Sequence, residues 1–404
     1  MTYEAAIPDG QEAVARYDLT ARRASHGRGG LRVAMIQTQA ERAGAQEISR
    51  ILGHGLTARG YDVHSIFLFR RTAAFDREPN TFFAARERPT GVVTLARMFL
   101  ALVRHLRRLQ PDVVLCFQHY GVIVGALAAS LAGTRAIVAN RTSARSVIPR
   151  WIEAVDLAFG LGGLFRKVVV NSSSIEHEYG AYPRRYRDRV VRIDHGFEQK
   201  TTALTRCEAR GLLALPPDAT ILGSVARLHP YKNLGAAVKL LVGRDWHLAL
   251  AGQGPAQAKL VALATSLGVR DRVHFAGELA PDRIGVFLRA LDAFVFSSLA
   301  ESFGLAAVEA AQAGTPVVAN DLEVLRETLS VDGGPCALFV NTGDIQAFAA
   351  AVQRLLEDHD LAAVLASRSM QLSRRYSSQA MVDRYAGVID AVAARSPRLV
   401  EADR

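Results

Sequence analysis

The chain has 404 residues, of which 50% are hydrophobic and 22% are charged, a composition that supplies a large core and excludes intrinsic disorder as its main state. At about 100–200 residues per domain, this length favours two domains. The three cysteines, Cys116, Cys207 and Cys336, are too few for a disulfide framework and fit no zinc spacing, which indicates a reducing, cytoplasmic setting.

The charge of the chain is unevenly distributed. The net charge is +10, but residues 1–192 sum to +12 and residues 193–404 to −2. This asymmetry indicates an anionic partner for the first half: a membrane surface, a phosphate-bearing substrate or nucleic acid. Residues 1–29 lack the apolar core of a signal peptide, and we expect a flexible tail there.

Over the first half, short apolar strands alternate with helices, a pattern typical of a parallel sheet covered on both faces. The loop 70–89 is longer than an ordinary connection between a strand and a helix, which favours a functional segment. In chain order, strands are predicted at 31–36, 61–69, 111–117, 136–139, 167–171 and 190–193, and helices at 44–59, 90–109 and 121–132.

The pattern pauses in the polar stretch 195–217 and then restarts. We interpret the chain as α/β, with two doubly wound Rossmann-like domains, residues 30–197 and 198–375, that face each other across a cleft. Open parallel sheets bind ligands at the carboxyl ends of their strands, so the cleft is the expected site. In the second half, strands are predicted at 221–225, 246–251, 273–276, 293–296, 316–319 and 337–340, and helices at 233–242, 255–267, 282–290, 304–313 and 345–356.

Two cations follow the first strand of the second half. Arg227 and Lys232 lie between that strand and the next helix. In this position they suit a diphosphate, which the backbone N–H groups of the helix would also bind. Taken alone, each could equally be a solvated loop residue.

Two glutamates flank the start of the fourth predicted helix of the second half. Its first residues, near Phe303, Gly304 and Leu305, present N–H groups that can bind an anion. Glu301, just before them, can accept hydrogen bonds from sugar hydroxyls. Glu309 stands among small and apolar neighbours, which indicates a buried position with one polar function.

Together these residues resemble the retaining glycosyltransferases of family 4, the glycosyl transferases group 1, which use nucleotide-diphosphate sugars and have the GT-B architecture. The resemblance is specific in residues 221–345 and weaker over 31–196. It implies a helix at 378–393, within the segment 376–404, that crosses back onto the first domain. It rests on Arg227, Lys232, Glu301, Glu309, the Phe303-Gly-Leu segment and Ala313-Gly-Thr-Pro-Val-Val.

The resemblance implies a role for each matching residue. Arg227 and Lys232 would neutralise the donor diphosphate, and Glu309 would bind the ribose. Glu301 would hold the donor sugar together with the backbone of Phe303, Gly304 and Leu305.

The same resemblance bears on cofactors. Gly44 would let the diphosphate approach the backbone of the first domain. Two fixed cations and a helix N-terminus can stabilise the leaving diphosphate without a metal. The only Asp-x-Asp, Asp358 to Asp360, follows a helix in what we expect to be a surface turn, and two carboxylates make a poor metal cage. We therefore expect neither a metal nor any cofactor besides the donor.

The first half departs from the family pattern in three places. Ala43-Gly44-Ala45 replaces the usual Gly-Gly, Arg141 stands where a histidine is common, and His195 stands where asparagine is usual. His119 is the other candidate near the cleft. We expect His119 and Arg141 on the acceptor side, although a lone histidine is more often structural.

The acceptor is the least constrained part of the prediction. Residues 66–110 interleave arginines with phenylalanines, which suits a membrane interface where arginine meets lipid phosphate and phenylalanine enters the acyl boundary. We hypothesise a peripheral enzyme at the inner face of the cytoplasmic membrane, with a lipid-linked acceptor for a surface polysaccharide or glycolipid. The alternative is a soluble enzyme with an anionic small-molecule acceptor.

Two other functions stay open. A sugar-nucleotide epimerase or hydrolase on the same architecture would need its own pair of acid–base carboxylates, and none stands out. A basic nucleic-acid-binding protein would explain the arginines, but no helix-turn-helix, aromatic RNA-binding motif or zinc pattern accompanies them, so we expect no nucleic-acid partner.

Overall fold

The first half of the chain forms a seven-stranded sheet in the computed structural model, which describes residues 30–41, 44–73, 75–143 and 148–395. The predicted tail 1–29 and Ala43 lie outside the described residues. The elements are β1 Arg32–Ala40, α1 Gly44–Ala58, β2 Asp62–Arg70, β3 Thr81–Phe83, α2 Val92–Leu109, β4 Val113–Phe117, α3 His119–Leu131, β5 Ile137–Arg141, α4 Arg150–Leu161, β6 Lys167–Val170, α5 Ser173–Glu178, α6 Arg184–Arg187 and β7 Val190–Arg192.

The second half forms a six-stranded sheet and a small hairpin. Its elements are α7 Arg206–Leu212, β8 Ile221–Val225, α8 Leu234–Lys239, β9 His247–Ala251, α9 Gln257–Ser266, β10 Val273–Gly277, α10 Pro281–Arg289, β11 Ala293–Phe296, α11 Leu305–Gln312, β12 Val317–Asn320, α12 Glu323–Thr328, β13 Ser330–Val331, β14 Gly334–Pro335, β15 Leu338–Val340, α13 Ile345–Glu357, α14 His359–Ser369, α15 Leu372–Arg375 and α16 Ser378–Ala394.

Both large sheets are parallel throughout, which confirms the predicted α/β class. The strand orders are β3-β2-β1-β4-β5-β6-β7 and β10-β9-β8-β11-β12-β15. In each sheet, successive strands are added first on one side and then on the other. This reversal of the strand order lies between β1 and β4 in the first sheet and between β8 and β11 in the second, and we call it the reversal point. Crevices at such reversals are the usual ligand sites of open α/β sheets.

The strands belong to these sheets because they are apolar on both faces. Every residue of β4 and of β11 is buried, as expected for parallel strands covered by helices on each side. On the first sheet, α1 and α16 cover one face, whereas α2 and α3 cover the other. The domain boundaries that we place at residues 197 and 375 remain predictions.

The C-terminal helix returns to the first sheet, as predicted. α16 packs against α1, and its Tyr385 hydroxyl donates to Asn140 Oδ1 of β5 at 2.7 Å. Tyr61 donates to Asp390 of the same helix at 2.7 Å. The chain therefore crosses between the two sheets twice.

The two crossings touch each other. Phe197 and Ser377 form a parallel β-bridge, and a Cβ on the neighbouring Gly196 would lie 2.2 Å from the Ser377 carbonyl oxygen. A side chain therefore cannot be accommodated at Gly196 without moving one of the crossings.

Two sequence predictions are wrong. The stretch 70–89 is not simply a loop, because it contains β3, which pairs with β2 at the sheet edge. Asp358 and Asp360 do not stand in a surface turn. Asp358 caps α14 by accepting a hydrogen bond from Leu361 N at 2.9 Å, and Asp360 lies inside that helix. Among the described residues, no helix is long and apolar enough to cross a membrane.

Candidate functional site

The predicted donor cations lie at the reversal point of the second sheet. Arg227 follows β8 by two residues, and Lys232 ends a short 3-10 helix, Pro230–Lys232. Glu301 lies in the loop after the neighbouring strand β11. The Lys232 ammonium donates to the Glu301 carboxylate, so the structure brings these two predicted site residues together. Their charges offset each other at the place where a ligand would enter.

The start of α11 has the predicted anion-binding form. Gly304, the residue before the helix, has a φ of 82°, and a Cβ there would lie 2.3 Å from Leu325 Cδ2. Glycine is therefore required for the chain to turn into the helix at this point. Phe303 is buried, so it can offer a ligand its backbone but not its ring. The first N–H groups of α11 have no partners within the helix.

The first sheet lies directly across from this loop. A Cβ on Gly44, the first residue of α1, would lie 3.2 Å from Leu305 Cδ2. Ser302 Oγ donates to the Thr142 carbonyl at 2.7 Å, and Ser172 Oγ donates to the Ser302 carbonyl at 3.0 Å. Gly44 and the α11 start thus face each other across a narrow gap, as expected for two walls of one cleft.

Glu41 is a residue of the site that the sequence did not reveal. It follows β1 directly, it is only 7% exposed, and its Oε1 accepts a hydrogen bond from Arg227 Nη2 at 2.5 Å. Gln39 donates to the same oxygen, and Arg71 Nη1 lies 3.1 Å from the other. The only sequence signal was an acidic residue at the end of the first strand. A ligand diphosphate on Arg227 must compete with this carboxylate.

Glu309 occupies the buried helical position that the sequence predicted. It is 8% exposed, on the side of α11 that faces Lys200 and Glu47. Burial raises the pKa of Glu309 to about 7. The positive charge of Lys200 lowers this pKa, and the negative charge of Glu47 raises it further. Lys200 Nζ lies 3.7 Å from Glu47 Oε1 on α1, so this group of charges joins the two halves of the chain.

Arg141 does not reach the cleft. It is 3% exposed and forms a buried ion pair with Asp156, which also accepts a hydrogen bond from the Tyr186 hydroxyl at 2.7 Å. This placement contradicts the expected acceptor-side position. Removing either partner would leave an uncompensated buried charge, so we assign Arg141 to the core of the first half.

Burial lowers the pKa of both histidines near the cleft. His119 begins α3 beside the end of β1, where Gly121 N donates to Thr38 Oγ1 at 3.0 Å. Burial, and then the charge of Arg141, lower the pKa of His119. His195 is buried beside Asn171, with Nε2 at 3.0 Å from its Nδ2, and burial lowers its pKa to about 4. His119 remains a candidate on the acceptor side.

The described residues contain no group of three or more histidine, cysteine, aspartate or glutamate side chains arranged to hold a metal ion. What the site does contain is two cations, a helix N-terminus and two carboxylates, Glu41 and Glu301, each paired with one of the cations. Fixed cations and N–H dipoles can stabilise negative charge that develops on a phosphate leaving group.

Comparison with known proteins identifies relatives of the second half. The family described as glycosyl transferases group 1 matches residues 206–371. A D-inositol 3-phosphate glycosyltransferase of Acidothermus cellulolyticus is 32% identical over 65% of this chain and 61% of its own length. The lipopolysaccharide core biosynthesis glycosyltransferase LpsE of Rhizobium meliloti is 36% identical over 44% of this chain and 51% of its own. The chain thus spans less than two thirds of these curated relatives.

Solved structures share the fold over most of the chain. Anabaena HepE in complex with UDP-glucose superposes with a TM-score of 0.76 at 19% identity, covering 89% of this chain and all of that one. The sucrose-phosphate synthase of Thermosynechococcus elongatus superposes with a TM-score of 0.74 at 21% identity, covering 91% of this chain and 100% of that one. At these identities the likeness shows the two-sheet GT-B fold.

Proposed function

We propose that this chain moves a sugar from a nucleotide-diphosphate sugar to an acceptor, because residues 206–371 match the family described as glycosyl transferases group 1. One observation carries the proposal. Lys232 and Glu301 meet just before the start of α11, and Arg227 follows β8 at the same edge of the second sheet. Gly44 lies across the gap from Leu305 of α11. A nucleotide diphosphate is the ligand whose charge fits this arrangement.

The geometry supports a division of roles within the donor site. As the bond between sugar and diphosphate breaks, negative charge grows on the leaving phosphate, and Arg227, Lys232 and the N–H groups of Gly304 and Leu305 would stabilise it. Glu301, held by Lys232, can accept hydrogen bonds from sugar hydroxyls. Glu309 would bind the ribose hydroxyls.

Two finer features complete the proposed reaction. We infer that the anomeric configuration of the sugar is retained, on the basis of the family resemblance. We also infer that the reaction needs no metal or other cofactor, because Arg227, Lys232 and the first N–H groups of α11 would together stabilise the charge of the diphosphate. The nucleotide sugar would then be the only co-substrate.

Donor binding tests the proposal directly. Thermal unfolding is measured with UDP-, GDP- and ADP-sugars, since a ligand present at about 100 times its Kd stabilises the folded state by about 2.7 kcal/mol. We expect one nucleotide class to raise the unfolding temperature of the wild type and of Lys259→Ala, an exposed lysine on α9. Lys232→Ala should abolish the rise. Equal responses of the two variants would contradict the assignment.

We also propose that the enzyme works at the inner face of the cytoplasmic membrane on a lipid-linked or other anionic acceptor for a surface polysaccharide or glycolipid. The phenylalanines of residues 66–110 cannot provide the contact, because Phe67, Phe69 and Phe75 are buried and Phe82, Phe83 and Phe99 are largely covered. This corrects the expectation that they enter the acyl boundary.

The first turn of α2 supports the membrane contact instead. Val92, Val93 and Leu95 are 85%, 64% and 50% exposed, and Arg97 is exposed on the following turn. Exposed valine and leucine beside arginine suit the boundary between acyl chains and anionic headgroups. Trp151, 56% exposed at the start of α4, adds an interfacial aromatic residue.

Vesicle flotation tests the membrane contact. The wild type should float with vesicles that contain phosphatidylglycerol and not with pure phosphatidylcholine. Changing Val92, Val93 and Leu95 to serine should abolish flotation, whereas Met370→Ser, at a site 68% exposed in the second half, should leave it intact. Flotation of the triple variant at the wild-type level would exclude α2 as the contact.

A further inference from the structure

A charged pocket opens on the first sheet, on the other side of Glu41 from the predicted donor cation Arg227. It lies at the carboxyl ends of β1 and β2, which pair in parallel so that Gln39 stands beside Phe69 and Ala40 beside Arg70. Its volume is about 370 Å³, which lies within the usual range for small-molecule sites. The lining residues are Gln39, Phe69, Arg70, Arg71, Glu87 and Arg88.

The main chain holds this pocket in a defined shape. Arg70 N donates to the Ala85 carbonyl at 3.1 Å, which ties the end of β2 to the segment after β3. Arg71 N donates to the Ala40 carbonyl at 3.3 Å, which ties it to the end of β1. Phe69 is buried and forms an apolar wall. The edge strand β3 therefore brings Arg88 back toward β1 and β2.

Arg88 gives the pocket a cation that can bind a phosphate group. Three arginines and the carboxylate of Glu87 line the pocket, and two of the arginines are paired with further carboxylates. Arg70 is held by both carboxylate oxygens of Asp76, and Arg71 lies 3.1 Å from Glu41. Arg88 is exposed and forms no hydrogen bond or ion pair with any residue that the structure describes. Its planar guanidinium, which has no partner among the described residues, is suited to bind a phosphate with two parallel hydrogen bonds.

Glu41 connects this pocket to the donor site. One of its oxygens accepts a hydrogen bond from Arg227, and the other lies beside Arg71. A single carboxylate therefore separates the pocket from the cation that would hold the donor diphosphate. A molecule anchored in the pocket by its phosphate would therefore lie beside the carboxylate that pairs with Arg227.

We propose that the Arg70–Arg71–Arg88 pocket binds the phosphate of the acceptor. This inference rests on the proposed glycosyl transfer and names the acceptor's chemical class: a phosphorylated polyol or sugar, either free or carried on a lipid. The volume of the pocket exceeds that of a phosphate alone and leaves room for one sugar-sized ring beside it.

The test measures binding without any transfer reaction. Glucose 6-phosphate, inorganic phosphate and glucose are titrated against the full chain by calorimetry. We expect glucose 6-phosphate and phosphate to bind and glucose not to bind. Arg88→Gln should weaken glucose 6-phosphate binding at least tenfold, because one charge-assisted pair is lost. The matched control is Arg104→Gln, an exposed arginine on α2 outside the pocket, which should bind as the wild type does.

The source of the phosphate is distinguished in a second arm. Phosphatidylcholine vesicles that carry phosphatidic acid replace the sugar phosphate, and glucose 6-phosphate is added as a competitor. Vesicle binding that requires Arg88 and is displaced by glucose 6-phosphate indicates a lipid-borne phosphate, whereas binding of the free sugar phosphate alone indicates a soluble acceptor. Equal binding of glucose 6-phosphate by Arg88→Gln and Arg104→Gln would overturn the proposal whatever the vesicle result, because the surface of α2 is itself expected to bind anionic vesicles.

Failure of this inference can be separated from failure of the proposed function. The nucleotide-sugar response of the unfolding temperature is recorded for the same Arg88→Gln protein. If the pocket serves the acceptor, that response should equal the response of the wild type. A wild type that binds glucose 6-phosphate through Arg88 but responds to no nucleotide sugar would contradict the proposed function instead.

Discussion

The buried carboxyl of Glu309 makes the stability of the protein depend on pH in a way that a single substitution can remove. Burial places the pKa of Glu309 at about 7, above its ordinary value of 4.5, because the ionised form is poorly solvated inside α11. The folded state therefore prefers the protonated form. Glu309→Gln replaces that form with a neutral side chain of nearly the same shape.

The sign and size of the effect follow from these two pKa values. A raised pKa means that the stability contributed by the protonated group is complete below pH 4.5 and is lost as the pH rises through 7. At pH 8 the ionised carboxyl costs the wild type about 3 kcal/mol, and at pH 5 it costs about 1 kcal/mol. Glu309→Gln should therefore stabilise the protein by about 2 kcal/mol more at pH 8 than at pH 5.

Urea unfolding at the two pH values provides the assay. Trp246 is buried in the second half, so its fluorescence reports on the unit that contains α11 once the exposed Trp151 is changed to phenylalanine. Glu323→Gln, at an exposed glutamate on α12, is the control and should shift the urea midpoint equally at both pH values. A Glu309→Gln effect that is the same at pH 5 and pH 8 would refute the reasoning.

The remaining predictions concern catalysis. Arg227→Ala or Lys232→Ala should lower turnover about 100- to 1,000-fold, as for loss of one group that stabilises developing charge, and near-normal turnover by both variants would refute their role. Turnover should survive EDTA; complete loss that magnesium or manganese restores would instead indicate a metal site. Glu309→Ala should weaken binding of the free nucleoside diphosphate in calorimetry, whereas Glu301→Ala should chiefly lower turnover of the nucleotide sugar, and equal effects on diphosphate affinity would contradict this division.

The regular elements of both sheets could be predicted because strands that are covered on both faces must be apolar. β4 and β11 are buried on both faces, so they appear in the sequence as uninterrupted apolar runs. β3 is not covered on both faces. It is a three-residue edge strand whose side chains are only half-buried, in a stretch rich in arginine, and its pairing with β2 is decided by tertiary contacts.

The residues that we propose for the donor site could be identified in the sequence, since Arg227, Lys232 and Glu301 lie in short motifs at strand ends. Their partners were not accessible. Glu41 meets Arg227 across 186 positions of sequence. Arg141 likewise appears in the sequence as a polar residue at a strand end, but in the structure it forms an ion pair with Asp156 inside the core. Ion pairs between distant segments leave no local pattern.

The return of α16 to the first sheet affects how the protein can be made on a ribosome. α16 buries Met381, Val382, Tyr385 and Ile389 against the first half, yet the chain reaches α16 only after the strands of both sheets have been synthesised. Until they emerge, the face of α1 that they cover is exposed to water. The first sheet is thus translated early but completed late, and a fragment that ends before Ser378 would lack part of its own core. An independently stable first half would have to be built with 376–395 joined to it.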